Sequence, residues 1–387
     1  MKEQKHLGPL DGLRGLMAYW VLFGHVSHST GMESVPVLRS AHYAVDGFML
    51  LSGFLMTWHY VLRAPKEPWT SWRTWSAFYI RRYFRISPLY YLLLIPSFAM
   101  LGLYAYWAQA SSAILSVANT LAPVVPVDLS NVLSHLSYAF GLLPRFHASL
   151  PLPDWSISLE MQFYLVFPFL MLFVLRFGWV AFSAMATAIW LAANSSALGY
   201  AHMFSQPSPL PMSLLWFVIG MVWAGTFIAN QKPQLRWILL GCLLAVISRD
   251  PHDIILVFVF AWILFAQKRI LLGGLADAAR RVLSCRAAKF MADASYSVYL
   301  THLLILRPIA YFLLTKTQLS TTGQWAIALV ITTVCSYGAA IALRPIEKWG
   351  IDIGRQLSRK VVAGLSAPHE DRTAGSLVQP APQETVA

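Results

Sequence analysis

Five stretches of this 387-residue sequence set polar side chains capable of chemistry among apolar neighbours. His25 lies in LMAYWVLFGHVSH, Asp46 in AVDGFMLLSGFL and Glu160 in DWSISLEMQFYLVFPFL. His302 and Arg307 share SYSVYLTHLLILRP, and Arg81, Arg82 and Arg85 share YIRRYFRISPLYY. An imidazole titrates near pH 6.5, which suits it to moving a proton at neutrality. A carboxylate can orient such a ring or balance the imidazolium that forms. Arg82 and Arg85, three apart, fall on one helical face, and two planar guanidinium forks at that spacing could clamp a phosphorylated ligand.

Each of these residues also has a plainer role open to it. His25 could be a hydrogen-bonded interfacial residue, Glu160 could face water, and Arg307 could snorkel to the interface. Asp46 could pair with an arginine or cap a break before Gly47, and His302 could be a satisfied packing residue. The arginines could set topology and meet anionic headgroups, the reading that composition alone favours.

The elements that must position these groups follow from composition. The chain is 57% hydrophobic and 14% aromatic, and only 12% of it is charged. That is about half the charge of a soluble domain. Three scattered cysteines (Cys242, Cys285, Cys335) exclude a disulfide framework and a CxxC metal site. What remains is an all-α, polytopic transmembrane helix bundle, since each span needs about 20 mostly apolar residues. Apolar runs predict about ten spans, at 13–30, 41–62, 86–107, 156–175, 178–198, 210–229, 235–248, 252–267, 294–315 and 322–343. The first follows Lys2, Lys5 and Arg14 with no small-residue cleavage site, so it reads as a retained span. A charge at mid-bilayer costs about 2.5–3.5 kcal/mol on insertion scales. Charges gathered in a few spans therefore point to an internal polar site.

Basic residues sort to one side. There are 29 Lys and Arg against 17 Asp and Glu, a net charge of +12. Arg63, Lys66, Arg73, Arg81, Arg82 and Arg85 follow the second span, and Lys268, Arg269, Arg280, Arg281, Arg286 and Lys289 follow the eighth. The positive-inside rule makes that side cytoplasmic, with both termini inside. This needs residues 108–154 to stay outside, or to cross twice. A membrane domain is expected over 1–350. A cytoplasmic tail follows over 351–387, disordered from about 366, where Pro, Ser, Thr and Gln dominate.

LDGLRGLMAYWVLFGHVSH resembles the opening of the acyltransferase-3 family of bacterial integral-membrane acyltransferases, which includes O-antigen and exopolysaccharide acetylases. Arg14 and His25 match its Arg, ten residues, His motif. VDGFMLLSGFL, Arg82 with Arg85, WSISLEMQFYLVFP around Glu160, SYSVYLTH ending at His302, and RPIEKWG around Glu347 resemble its later elements in order. Gly47-Phe48-Met49 departs from a motif that usually holds two consecutive Phe.

The resemblance implies an acyl-CoA-dependent O-acyltransferase of the inner (cytoplasmic) membrane. It would move an acyl group, acetyl by preference, from cytoplasmic acyl-CoA to a hydroxyl of a glycan or lipid-linked saccharide at the outer face. Acyl-CoA would be a co-substrate, with no tightly bound cofactor, no metal and no nucleic-acid partner; membrane lipids surround it. On this basis His25 is the general base, or takes the acyl group itself, and Glu160 orients it. Arg14, Arg81, Arg82 and Arg85 are expected to hold coenzyme A, and Asp46, Tyr299 and His302 to line the substrate path. The other class open to such a sequence is a secondary transporter or flippase for a polar lipid or sugar, since midplane polar groups fit that as well.

Overall fold

A computed structural model describes residues 8–32, 36–115, 125–230, 235–266 and 272–363, so the expected disordered tail lies outside the described residues. The described chain is helical, with no strand among the described residues. In order the helices are α1 (Gly8–Ser29), α2 (Pro36–Arg39), α3 (Ala41–Arg63), α4 (Trp72–Ala99), α5 (Leu101–Leu115) and α6 (Leu129–Leu136). Then come α7 (Trp155–Ala193), α8 (Leu210–Asn230), α9 (Leu235–Ile247), α10 (Pro251–Phe265), α11 (Gly273–Leu283), α12 (Arg286–Lys316) and α13 (Thr321–Ala363).

Local chemistry sets several starts. Ser71 caps α4 by accepting the Arg73 N–H at 3.3 Å, and Asp128 caps α6 by accepting from Asn131 at 2.7 Å. Asp250 caps α10 through the His252 N–H at 2.8 Å, with Pro251 at the first helical position. Each cap satisfies an amide that the helix itself cannot.

Among the described residues four helices (α3, α7, α12 and α13) are long and apolar enough to cross a membrane, and α4 with α5 makes a fifth if that bent pair is one span. Three shorter apolar helices lie at Leu210–Gly225, Leu235–Ile247 and Pro251–Phe265. Element bounds differ from the sequence expectation in four places. The expected span 86–107 straddles a 71° bend between α4 and α5. The bend falls at Met100, between the end of α4 at Ala99 and the start of α5 at Leu101, four residues after Pro96. Hydropathy stays high through this break and so could not mark it. The expected spans 156–175 and 178–198 are joined in α7, kinked at Gly178 with φ 80°. Helix α12 begins at Arg286, not near 294, and α13 runs on to Ala363, past the expected boundary at 350.

The bundle is held by close helix pairs: α1 with α12, α3 with α8, and α4 with α13. Between α3 and α8 the backbones nearly touch. A methyl on Gly53 would sit 2.1 Å from the Phe217 carbonyl oxygen, and one on Gly220 would sit 1.9 Å from that of Leu50. Small residues let apolar helices approach this closely where lipid gives no hydrophobic drive to associate. Between the pairs, Val21, Phe54, Tyr90, Phe163, Phe167 and Phe217 form one continuous, fully buried core.

Candidate active site

Helix α1 carries Arg14 and His25 eleven residues apart, about 16 Å along its axis at 1.5 Å per residue. The structure surrounds each with a different set of groups.

At the upper position, His25 Nδ1 lies 2.9 Å from His302 Nε2, the rings stacked with centroids 5.0 Å apart. His302 comes from α12, the helix packed most extensively on α1. The other nitrogen of His302, Nδ1, faces two carbonyls, Tyr299 at 2.7 Å and Val298 at 3.2 Å. Carbonyls only accept, so Nδ1 carries the proton and Nε2 of the neutral ring is bare. His25 must then donate from Nδ1, which leaves its own Nε2 with a free lone pair. Two backbone carbonyls on α12 thus fix the tautomer of a histidine on α1. The Tyr299 side chain is tied down too, its hydroxyl 2.6 Å from Ser156 Oγ at the start of α7.

His25 borders a cavity of about 280 Å³. Its wall also takes His28, Trp107, Trp155, Gln206 and Arg307, together with His147 from the loop before α7. His147 is a staple: Nδ1 donates to the Pro144 carbonyl at 2.8 Å, and Nε2 accepts the Ser205 N–H at 2.9 Å. Burial holds its pKa below the usual imidazole value, partly offset by the hydrogen bond to Pro144.

The lower position gathers charges from four helices. Arg82 lies 5.5 Å over the Tyr164 ring and 6.0 Å from that of Phe78, and its Nε is buried with no hydrogen-bond partner. Tyr164 donates a hydrogen bond to Glu160, one turn earlier on α7. Arg14 and Arg82 both lie within electrostatic range of Arg85 and Glu160. Glu347 of α13 accepts from the Ser297 hydroxyl and lies within electrostatic range of Arg85 and Arg14. Arg14, Arg82 and Arg85 thus gather beside Glu160, Glu347 and Asp11, and their planar forks are of the kind that hold an anionic ligand.

The expected site residues therefore divide. His25, His302 and Tyr299 come together. Arg14, Arg82, Arg85 and Glu160 come together below them, and Glu160 bonds to Tyr164 while His25 bonds to His302. Arg81 turns to Glu67 in a two-pronged ion pair, at 2.7 and 3.3 Å. Asp46 sits elsewhere, between α3 and α10 beside Asp253 and Asp250, where the Tyr43 hydroxyl lies 3.1 Å from Asp250 Oδ2. Tyr164 and Glu347 were not among the expected site residues. The i, i+4 spacing of Glu160 and Tyr164 was a usable signal for the first.

The family profile of an acyltransferase domain, the acyltransferase-3 family, matches residues 8–341. The chain belongs to that family. Among similar proteins, "Acyltransferase MdmB" of Streptomyces mycarofaciens is 25% identical over 385 residues, covering 88% of this chain and 90% of that protein. "Putative O-acetyltransferase SACOL0978" of Staphylococcus aureus (strain COL) is 21% identical over 341 residues, 79% of this chain and 51% of that one. "Nose resistant to fluoxetine protein 6" of Caenorhabditis elegans is 22% identical over 240 residues, 54% of this chain and 28% of that one. The chain thus spans about half the length of the staphylococcal relative and less of the nematode one. No solved structure matches it.

Proposed function

We propose that this chain is a multi-pass enzyme of the inner membrane, both termini cytoplasmic. It would transfer an acyl group, acetyl by preference, from cytoplasmic acyl-CoA to a hydroxyl of a glycan or lipid-linked saccharide at the outer face. The observation that carries this reading is the two-level arrangement on α1. An arginine-rich pocket lies below, and a histidine with a bare Nε2 lies about 16 Å above it, beside a cavity.

Coenzyme A phosphates would rest on Arg82 and Arg85, with Arg14 nearer the pantetheine arm. Glu160 and Glu347 would help aim the guanidinium forks, since each carboxylate lies within electrostatic range of two of them. At the upper level His25 Nε2 takes the proton of the acceptor hydroxyl as its oxygen attacks the thioester carbonyl. The tetrahedral adduct collapses, the C–S bond breaks, and the imidazolium returns its proton to the departing thiolate. His302 is the positioning residue. Its bare Nε2 keeps accepting the His25 Nδ1–H and so favours the imidazolium while it exists.

The test is release of coenzyme A from labelled acetyl-CoA by the purified full chain, with and without acceptor. His25→Ala should abolish it at normal membrane abundance. Uptake of a sugar or lipid that survives His25→Ala, with no coenzyme A released, would make the chain a transporter instead.

A further inference from the structure

Arg307 has no part in the chemistry above, yet it lines the same cavity as His25. It is partly buried and lies one and a half turns beyond His302 on α12. Among the described residues no carboxylate pairs with it, and it lies within electrostatic range of the Tyr104 phenol and of the His25 and His302 rings. The Tyr104 hydroxyl is itself directed elsewhere, to the Leu304 carbonyl at 2.9 Å. Among the described residues no Asp or Glu lines the cavity. Taking a guanidinium out of water without an anion costs several kcal/mol. Among the described residues this cation is left without a carboxylate partner where the acceptor would enter.

The rest of the wall describes the remainder of the ligand. Trp107 and Trp155 offer broad, half-polar faces against which a sugar ring can lie. Ser29, Ser111, Ser112 and Gln206 supply small donors and acceptors of the kind that match ring hydroxyls. A volume of about 280 Å³ admits one or two monosaccharide units.

We infer that this cavity is built for an acidic saccharide, a sugar bearing a carboxylate or a phosphate, whose anion is held by Arg307 while a neighbouring hydroxyl faces His25. The inference deepens the proposed function by naming the acceptor class. Its test is equilibrium binding, so it does not depend on turnover. A charge-assisted pair favours the anion by about tenfold or more over a neutral analogue.

The experiment is thermal unfolding of the purified full chain in detergent, titrated with glucuronate, glucose 1-phosphate or glucose, with no acyl-CoA present. Stabilisation should set in at about tenfold lower concentration for at least one of the two acids than for glucose. Which acid acts separates carboxylate from phosphate. Arg307→Gln should erase that preference, and Arg307→Lys should keep part of it, which guards against a variant that merely folds poorly. Equal stabilisation by acid and neutral sugar overturns the assignment. So does a preference that persists in Arg307→Gln, or no stabilisation by any of the three. If Arg307→Gln leaves glucuronate binding intact but lowers kcat for every acceptor, the guanidinium serves the reaction's developing oxyanion and the proposal fails.

Discussion

His25 and His302, 277 positions apart in sequence, share one hydrogen bond of 2.9 Å, and its direction is set by backbone carbonyls behind His302. A histidine paired with a carboxylate is held by charge. Here a neutral ring does the orienting, and its proton is locked on the far side by Tyr299 and Val298. The pair therefore adds no net charge within the bundle, where an unpaired charge is costly.

The relay predicts an asymmetric response to substitution at 302. His302→Gln retains an acceptor at similar reach and should keep a measurable part of kcat. His302→Ala should lower kcat by about a hundredfold, within the range for loss of a well-placed acid–base pair. The KM for acyl-CoA should be unchanged in both, and the acid limb of the kcat profile should move in His302→Gln. Equal activity in Ala and Gln variants would reduce His302 to a packing residue.

Arg82 and Arg81 adjoin in sequence and differ in structure, so they should differ in effect. Arg82→Ala should raise the KM for acyl-CoA about tenfold or more, the loss of one charge-assisted contact, and leave the acceptor KM alone. Arg81→Ala breaks the pair with Glu67 and should cost thermal stability with a smaller change in donor KM. Steady-state kinetics on both variants, with donor and acceptor varied in turn, reads the difference.

The contact of α3 with α8 predicts a packing phenotype remote from the site. Gly220→Ala forces a methyl against the Leu50 carbonyl, and the helices must separate. Overpacking of this kind costs about 1–3 kcal/mol. The expected result is a lower unfolding temperature in detergent. Gly338→Ala, which meets open space, is the control and should be neutral.

The His147 staple gives a pH dependence. Its folded-state pKa lies below the unfolded value of about 6.5, so the folded form binds fewer protons as pH falls through that value. Its contribution to stability is then complete above pH ~6.5 and declines below it. Unfolding temperatures measured between pH 8 and 5 should fall on acidification. His147→Gln should flatten that slope while lowering stability at pH 8. A slope unchanged in the variant would place the acid sensitivity elsewhere.

The amino-acid sequence determined more than the fold class. Apolar runs show a helical membrane protein because lipid tolerates little else, and mid-span polar residues stand out because each is costly there. The R-x10-H and R-x-x-R spacings match the acyltransferase-3 motifs in order, and that resemblance is what singled out Arg14, His25, Arg82 and Arg85. Pairing across helices is decided only by tertiary packing. Nothing local distinguishes a His25 that meets Glu160 from one that meets His302, because the choice depends on which faces of α1, α7 and α12 touch. The same holds for Arg81 and Arg82. Both sit on one helix at adjacent positions, and the 100° between them sends one to Glu67 and the other into the bundle. Read from sequence, Arg307 could as well be a snorkelling cation as part of a polar site. Only the cavity around it, whose described wall holds no carboxylate, made it a group waiting for an anion.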